Sequence, residues 1–157
     1  MDEVTFAKIR EFVRESNLIE GITRAPTEDE VAATAIFLGL AVIGIFDVQA
    51  LQTSIVRSKP LRNKAGMDVR VGSYIAPRGG PEIKDRLVLL IDKINAGNGE
   101  PWDEHLAFER LHPFMDGNGR VGRALWAWHM LKHQRDPFAL PFLHRFYYQT
   151  LDRANDR

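Results

Sequence analysis

The sequence predicts an all-α protein, a bundle of helices that carries one short β-hairpin. In most segments apolar residues recur every three or four positions, which places them on one face of a helix. Residues 67 to 77 instead alternate with the period of two that is typical of a strand. At 157 residues the chain is long enough for a single domain with a buried core.

The first half of the chain predicts three helices. Apolar positions over residues 4 to 19 share one face, and Gly21 can end that helix. Thr27 and Glu30 have the spacing of a capping box, which starts a second helix that we expect to run to about residue 44. A third helix is expected over residues 47 to 57.

The second half predicts the hairpin and four further helices. The strand pattern ends at Pro77, and Pro81 suits the first turn of the next helix, which has one apolar stripe and is followed by Gly97. The remaining helices are predicted at residues 101 to 111, 121 to 133 and 139 to 153. The segment that begins at residue 121 is apolar on nearly all sides, which predicts a central buried helix.

Charge and cysteine content exclude several classes of function. Basic and acidic residues both number 21, and this zero net charge argues against non-specific binding to nucleic acid or anionic membranes. The absence of cysteine excludes disulfides, thiolate zinc sites and a cysteine nucleophile. Residues 31 to 46 are nearly all apolar but slightly short for a membrane span, so we interpret them as a buried core helix. The N-terminus lacks the apolar run of a secretory signal, and we expect a cytoplasmic protein.

The densest chemical signal is HPFMDGNGRVGR, residues 112 to 123. DGNG alone is typical of a turn. Three other loops are excluded. An EF-hand needs an acid where Ala127 stands, and a P-loop needs a Gly-Lys-Ser/Thr sequence that the chain lacks. A dinucleotide fingerprint needs a preceding strand, but a helix is predicted there.

The position of this loop before a helix N-terminus predicts an anion site, because unpaired backbone N–H groups bind anions there. Glycines on both sides of Asn118 let neighbouring N–H groups turn toward one point. Arg120 and Arg123 share a face of the first turn, and the guanidinium fork suits phosphate. Asp116 would repel a bare phosphate but suits Mg²⁺, which takes carboxylate and phosphate oxygens together. The spacing therefore predicts a Mg²⁺–polyphosphate site.

His112 begins the loop, and an imidazole with a pKa of about 6.5 suits a general base at neutral pH. Beside a phosphate chain, a base implies deprotonation of a hydroxyl that attacks phosphorus. The alternative is that His112 only caps the preceding helix. We favour the catalytic interpretation because of the loop that follows.

Residues 112 to 123 match the Fic family motif at every defining position: His, any, Phe, any, Asp or Glu, Gly, Asn, Gly, Arg, any, any, Arg. The resemblance covers roughly residues 27 to 150 and implies a Fic-fold core domain over residues 23 to 157. It also implies a nucleotidyltransferase that carries out protein AMPylation. AMP would move from ATP to a Ser, Thr or Tyr hydroxyl of a target protein, or of the protein itself, with release of pyrophosphate.

The resemblance also implies roles for individual residues. His112 resembles the catalytic base, and Asp116 resembles the Mg²⁺ ligand. The expected ATP and phosphate ligands are Gly117, Asn118, Gly119, Arg120 and Arg123. The segment at residues 67 to 78 resembles the family's flap, which pairs with an extended segment of the target. The expected docking residues are Val71, Gly72, Ser73, Tyr74 and Ile75.

SNLIEG, residues 16 to 21, resembles the inhibitory motif of the same family, and residues 1 to 22 would then be an inhibitory helix. Ser16 and Glu20 lie one turn apart on one helix face. If this helix docks on the site, the Glu20 carboxylate pairs with Arg123 and occupies the arginine expected to orient the γ-phosphate of ATP. The alternative is a plain helix C-terminus that Gly21 ends.

Several alternatives stay open from the sequence. The same fold serves other donors, such as UTP or CDP-choline. A non-enzymatic nucleotide-sensing module is a second alternative, although it has no need of a base at His112. A toxin restrained by a partner is a third. The target protein, a homodimer, the signal that releases Glu20 and the removal of AMP are also open.

Overall fold

In a computed structural model, residues 3–57 and 59–139 are described, and they form six helices and one two-stranded sheet. The helices are α1 (Glu3–Ile19), α2 (Glu28–Leu38), α3 (Ile45–Ile55), α4 (Pro81–Asn95), α5 (Pro101–Leu111) and α6 (Asn118–Lys132). The strands are β1 (Arg70–Val71) and β2 (Tyr74–Ile75). The predicted all-α class with one hairpin is confirmed. The helix predicted over residues 139 to 153 lies, apart from its first residue, outside the described residues.

Helix α6 is the centre of the bundle. It packs against α1, α2, α3 and α5, and α4 packs against α5. The central position of α6 agrees with its apolar pattern, and all six helices contribute side chains to one core. Among the described helices, none is long and apolar enough to cross a membrane. The loop of interest therefore leads into a helix that packs against four of the other described helices.

The second predicted helix is shorter than expected. Helix α2 ends at Leu38 instead of near residue 44, and a loop separates it from α3. The Asn95 side chain accepts from the N–H of Ile43 and donates to the carbonyl of the same residue. The indole of Trp128 donates to another carbonyl of the loop. Because these polar side chains satisfy the loop backbone, the apolar run at residues 31 to 46 is broken and is not one buried helix.

The hairpin is shorter than the alternating pattern predicts. Val71 pairs with Tyr74 and Arg70 pairs with Ile75 in an antiparallel register. Gly72, in the turn, has φ +58°, a left-handed conformation that favours glycine. Both strands are exposed, so no buried face extends the pairing.

The stem of the hairpin leaves no room for a side chain at Gly79. A Cβ there would lie 2.6 Å from the carbonyl oxygen of Met67 and 2.7 Å from that of Lys64. Backbone atoms cannot rotate away as the end of a side chain can. We therefore expect Gly79→Ala to lower the free energy of unfolding by about 1–3 kcal/mol. Denaturant unfolding followed by circular dichroism measures this loss.

Gly80→Ala is the matched control. Gly80 has an extended backbone with φ 162°, and no atom lies within 4 Å of an added Cβ. The free energy of unfolding of Gly80→Ala should differ from that of wild type by less than about 0.5 kcal/mol. Equal losses of unfolding free energy in the two variants would show that the close backbone contacts at position 79 do not require glycine there.

Candidate active site

HPFMDGNGRVGR forms the connection from α5 to α6 and the first turn of α6. His112 ends α5 in a left-handed conformation with φ 50°, and Gly117 precedes α6 with φ 82°. A Cβ on Gly117 would also lie 3.1 Å from Cγ2 of Val56. His112 does cap α5, since its N–H donates to the carbonyl of Phe108 at 2.9 Å. The cap uses only the backbone and leaves the imidazole available for chemistry.

Hydrogen bonds within the loop fix its shape. The Asn118 side chain accepts from the N–H of Phe114 and donates to the carbonyl of that residue, both at 2.8 Å. The Phe114 ring is buried in the core, and the N–H of Met115 donates to the carbonyl of Pro60 at 3.0 Å. Because the side-chain amide of Asn118 is already hydrogen-bonded within the loop, we expect this residue to contact a phosphate through its backbone N–H.

A buried arginine, which the sequence pattern does not single out, anchors the same loop. Arg62 is fully buried and donates from Nε to the carbonyl of His112 at 2.7 Å and from Nη2 to that of Leu111 at 3.0 Å. Its Nη1 donates to the carbonyls of Met67 and Pro77, at 3.0 and 2.8 Å, on the two sides of the hairpin stem. One side chain therefore ties His112 to the hairpin.

The imidazole of His112 has the form of a general base. Its Nδ1 lies 3.2 Å from the carbonyl oxygen of Glu109, which can only accept, so the proton is assigned to Nδ1. Nε2 then keeps a free lone pair. Burial is the main cause that lowers the pKa of His112, and the charge of Arg62 acts in the same direction. The ring is therefore neutral at pH 7.

His112 lines a cavity of about 400 Å³, and Glu20, which follows α1, lines it too. The predicted catalytic, metal and phosphate-binding residues all line this cavity: His112, Asp116, Gly117, Asn118, Gly119, Arg120 and Arg123. From the hairpin, Val71 and Tyr74 contribute to the lining. The predicted docking residues outside the lining are Gly72, Ser73 and Ile75. The fold thus collects residues from the turn after α1, the hairpin, α5, the loop and α6 around one space.

The N-terminus of α6 makes part of this cavity positive. Arg120 lines it, and the Nε of Arg120 is buried without a hydrogen-bond partner in the described part of the chain. Burial lowers the pKa of Arg120, and the charges of Glu20 and Asp116 oppose this shift. A guanidinium remains a cation at neutral pH even so. The first turn of a helix also leaves backbone N–H groups without an intrahelical acceptor, and together with this guanidinium they suit an anion that carries several oxygens.

Asp116 is exposed where the loop meets the cavity. Its Oδ1 accepts from the N–H of Gly117 at 2.7 Å, which orients the carboxylate. In residues 3–57 and 59–139, no group of three or more His, Asp or Glu side chains is arranged to hold a metal ion by itself. Mg²⁺ is commonly held by one or two carboxylates together with substrate phosphates and water, and Asp116 fits that mode.

Arg123 is fully buried and is bound by the C-terminal end of α1. Its Nε donates to Oγ of Ser16 at 2.8 Å, and its Nη2 donates to the carbonyl of Ser16 at 2.9 Å. Nη2 also donates to Oε1 of Glu20 at 2.6 Å, the short distance of a charge-assisted bond. Gly21 follows with φ 74°. The structure brings Ser16, Glu20 and Arg123 together, and their effect on activity stays a prediction.

The missing side chain of Gly119 allows the Glu20 carboxylate to approach α6. A Cβ on Gly119 would overlap Oε1 of Glu20 and would lie 2.9 Å from Nη1 of Arg123. A phosphate oxygen that binds a helix N-terminus needs the same close approach to the backbone. The Glu20 carboxylate therefore occupies a position suited to an anion.

Glu109 is a second carboxyl group at the cavity, and the sequence analysis did not identify it. It lines the cavity, and its Oε1 is buried without a hydrogen-bond partner among the described residues. That oxygen fills the space that a side chain on Gly122 would take. Burial raises the pKa of Glu109 to about 7; Arg123 opposes the shift and Glu20 adds to it. The one signal in the sequence is its position, one helical turn before His112.

Glu109→Gln should stabilise the protein in a pH-dependent way. The pKa of Glu109 is raised from 4.5 to about 7, so the folded state holds the proton more tightly than the unfolded state does. Wild-type stability therefore falls as the pH rises through this window, and glutamine avoids the loss. We expect a gain in unfolding free energy of up to about 3 kcal/mol at pH 8 and of under about 1 kcal/mol at pH 5.

Denaturant unfolding of wild type and Glu109→Gln at both pH values measures this difference. Glu82→Gln, which alters an exposed carboxylate on α4, is the control and should show no gain that grows with pH. If the Glu109→Gln difference is the same at pH 5 and pH 8, the carboxyl group of Glu109 is not held neutral by burial.

Comparison with known proteins places similarity on the elements that build the cavity. Residues 68–130 match the sequence model of the Fic/DOC family, which is less than half of the chain. The match contains the hairpin, α4, α5, the loop and nearly all of α6, whereas α1 with Ser16 lies outside it. No curated protein matches the chain. The segment from the hairpin to α6, which carries His112 and the glycine-rich loop, is therefore similar to the Fic/DOC family.

Proposed function

We propose that this protein is a Fic-type protein adenylyltransferase, which transfers AMP from ATP to a Ser, Thr or Tyr hydroxyl and releases pyrophosphate. The hydroxyl belongs to a target protein or to the protein itself. The carrying observation is that one cavity joins the neutral imidazole of His112 to a helix N-terminus with Arg120. Attack of a hydroxyl on phosphorus requires a base beside a polyphosphate site. The similarity of residues 68–130 to the Fic/DOC family supports the same class of reaction.

The phosphates of ATP are proposed to bind at the start of α6. Residues 117 to 119 surround the α- and β-phosphates, with the backbone N–H groups of Asn118 and Gly119 toward them because that of Gly117 is bonded to Asp116, and Arg120 neutralises the phosphate charge. Arg123 orients the γ-phosphate. Asp116 holds Mg²⁺, and the ion supplies positive charge to the phosphate oxygens when it is bound. Two observations support this placement: the Nε of Arg120 has no hydrogen-bond partner within the described ranges, and Gly119 has no side chain to cover its backbone.

His112 is proposed to act as the general base. Nε2 takes the proton of the target hydroxyl while the hydroxyl oxygen attacks the α-phosphorus. The bond from the α-phosphorus to the bridging oxygen breaks, and its electron pair leaves with pyrophosphate. The bond from Nδ1 to the carbonyl of Glu109 holds the ring and stabilises the proton that Nδ1 carries. Because desolvation disfavours the imidazolium, the base is available at neutral pH.

The hairpin is proposed to hold the target. It is a two-stranded sheet among the described residues, with exposed strands to which an extended segment can add by backbone hydrogen bonds. The hydroxyl of Tyr74 donates to the carbonyl of Arg110 at 2.6 Å, which fixes the hairpin against the end of α5. Val71 and Tyr74 line the same cavity as His112. A segment docked on this hairpin would therefore place its side chain near the base.

Glu20 is proposed to restrain the enzyme. Its carboxylate bonds Arg123 and lies against Gly119, where an oxygen of the triphosphate would approach. An ATP molecule that binds beside Glu20 loses the γ-phosphate contact, so its α-phosphorus is not in line with the attacking hydroxyl. Positioning supplies most of the catalysis in phosphoryl transfer, so this displacement alone lowers the rate.

Incorporation of label from ATP tests the reaction and the restraint together. Wild type, Glu20→Gly and Glu20→Gly/His112→Ala are incubated with Mg²⁺ and ATP labelled at the α- or the γ-phosphate, alone and with cell lysate. We expect α-label to be incorporated by Glu20→Gly and at least about tenfold less by wild type. The Glu20→Gly variant loses the hydrogen bond between the Glu20 carboxylate and the charged Arg123, and a bond of that kind corresponds to about this factor. Loss of the base should lower labelling by about 100-fold or more. Label from the γ-phosphate is not expected.

The matched control for the base is His133, a histidine at the opposite end of α6. Glu20→Gly/His133→Ala should incorporate label as Glu20→Gly does. Label from the γ-phosphate instead of the α-phosphate would identify phosphate transfer. Absence of label with ATP binding retained would favour a sensing module or another donor, and labelled UTP and CDP-choline then separate these two.

Gly119→Ala in the Glu20→Gly background tests where the phosphate approaches. The added methyl group projects into the space that the Glu20 oxygen fills in wild type. If a phosphate oxygen uses the same space, labelling should drop by about tenfold or more, although the restraint is already removed. Thermal unfolding confirms that the variant folds. Unchanged labelling would place the triphosphate elsewhere in the cavity.

A further inference from the structure

The position of Glu20 depends on how the chain leaves α1. The N–H of Glu20 and that of Ile22 donate to the carbonyl of Asn17, at 3.0 and 2.9 Å, and Gly21 turns the chain in a left-handed conformation. No element of secondary structure contains residues 20 to 27, which lead to α2. Short backbone turns of this kind open easily, so another contact must keep the carboxylate on Arg123.

Glu30, in the first turn of α2, makes that contact. Its carboxylate is buried and accepts from Nδ2 of Asn17 at 3.4 Å and from the N–H of Thr27 at 2.8 Å. Two further bonds come from Arg24, whose Nη1 and Nη2 donate to the two carboxylate oxygens at 2.9 and 2.8 Å. Glu30 is therefore bonded to Asn17, before Glu20 in the chain, and to Arg24 and Thr27, after it.

The capping box accounts for only one of these bonds. Thr27 and Glu30 cap α2 reciprocally, and the N–H of Thr27 needs one oxygen of Glu30 for that purpose. The bonds to Asn17 and Arg24 go beyond the cap and reach the segment that carries Glu20. The hydrogen bond from Arg24 is the main cause that lowers the pKa of Glu30 to about 2, so the carboxylate keeps its charge at neutral pH.

We infer that Glu30 is a positioning residue for Glu20: by bonding Asn17 and Arg24 it holds the segment between them so that the Glu20 carboxylate stays on Arg123. This inference deepens the proposed function and rests on it, because Glu20 is taken as the restraint. Arg24 is the half-exposed partner of Glu30. A change at Arg24 would therefore loosen the restraint without altering a residue of the cavity.

Glu30→Gln separates this role from helix capping. Glutamine keeps an oxygen for the N–H of Thr27 and is accepted in a capping box. Its amide has no negative charge for Arg24 and presents N–H groups where the guanidinium donates. We expect roughly tenfold more α-label than wild type, the change that loss of a hydrogen bond to a charged group gives. Arg24→Gln should give a similar increase.

A double-mutant cycle shows whether Glu30 acts through Glu20. If it does, Glu20→Gly/Glu30→Gln labels as strongly as Glu20→Gly, because no restraint is left to loosen. A variant that only damaged the fold would lower labelling in both backgrounds. Labelling of Glu30→Gln at the wild-type level beside an active Glu20→Gly overturns the inference, and so does an equal increase in both backgrounds.

Hydrogen exchange tests the inference even if no transfer is observed. The amides of Glu20 and Ile22 should exchange roughly tenfold faster in Glu30→Gln than in wild type, because the turn they close opens more often. Glu28→Gln is the matched control. It breaks an exposed ion pair between α1 and α2, the 2.9 Å contact of Arg10 with Glu28, without touching the segment. It should match wild type in exchange and labelling.

Unchanged exchange in Glu30→Gln overturns the inference whatever the activity. Faster exchange with no label in Glu20→Gly supports the positioning role and refutes the proposed transfer reaction instead. The positioning role of Glu30 and the proposed AMP transfer can therefore be refuted independently of each other.

Discussion

The guanidinium of Arg62 is the contact on which the rest of the site depends. It is fully buried and donates to the backbone carbonyls of Leu111, His112, Met67 and Pro77. Two of these carbonyls end α5, where unpaired carbonyls and the negative end of the helix dipole favour a cation. Burial lowers the pKa of Arg62, and a buried charge that loses a partner is strongly destabilising. The loop that begins at His112 and the stem of the hairpin therefore cannot separate without leaving this charge unsatisfied.

Burial also affects the charge of His112 and Glu109, two of the groups around the cavity. Desolvation keeps the imidazole of His112 neutral, which is the form a base needs, and it favours the protonated form of Glu109. Arg120 and Arg123 keep their charge because a guanidinium does not release its proton near neutral pH. Among the residues that line the cavity, Arg120, Arg123 and the start of α6 favour an anion, while the carboxylates of Glu20 and Asp116 add negative charge beside them.

The proposed restraint by Glu20 uses the same chemistry as the proposed substrate. The Glu20 carboxylate reaches Arg123 over the bare backbone of Gly119, as an oxygen of a triphosphate would. The Glu20 carboxylate is bound closely by Arg123. The segment that carries Glu20 is held by the ion pair of Arg24 with Glu30, in which Arg24 is half exposed. The proposed regulation at Glu30 is therefore separable from the proposed catalysis at His112, since Glu30 holds the segment that carries Glu20 and His112 would act on the target hydroxyl.

Local patterns in the sequence determined the helical class, the capping box at Thr27 and the loop that starts at His112, because each depends on neighbours within a few positions. The pattern failed at the end of α2, where the loop is held by Asn95, 52 positions from its partner Ile43. It was equally silent on Arg62, which bonds a carbonyl 49 positions away. Partners so distant in sequence leave no periodic trace, so only the tertiary structure decided which polar groups are buried together, and with that the charge states in the site.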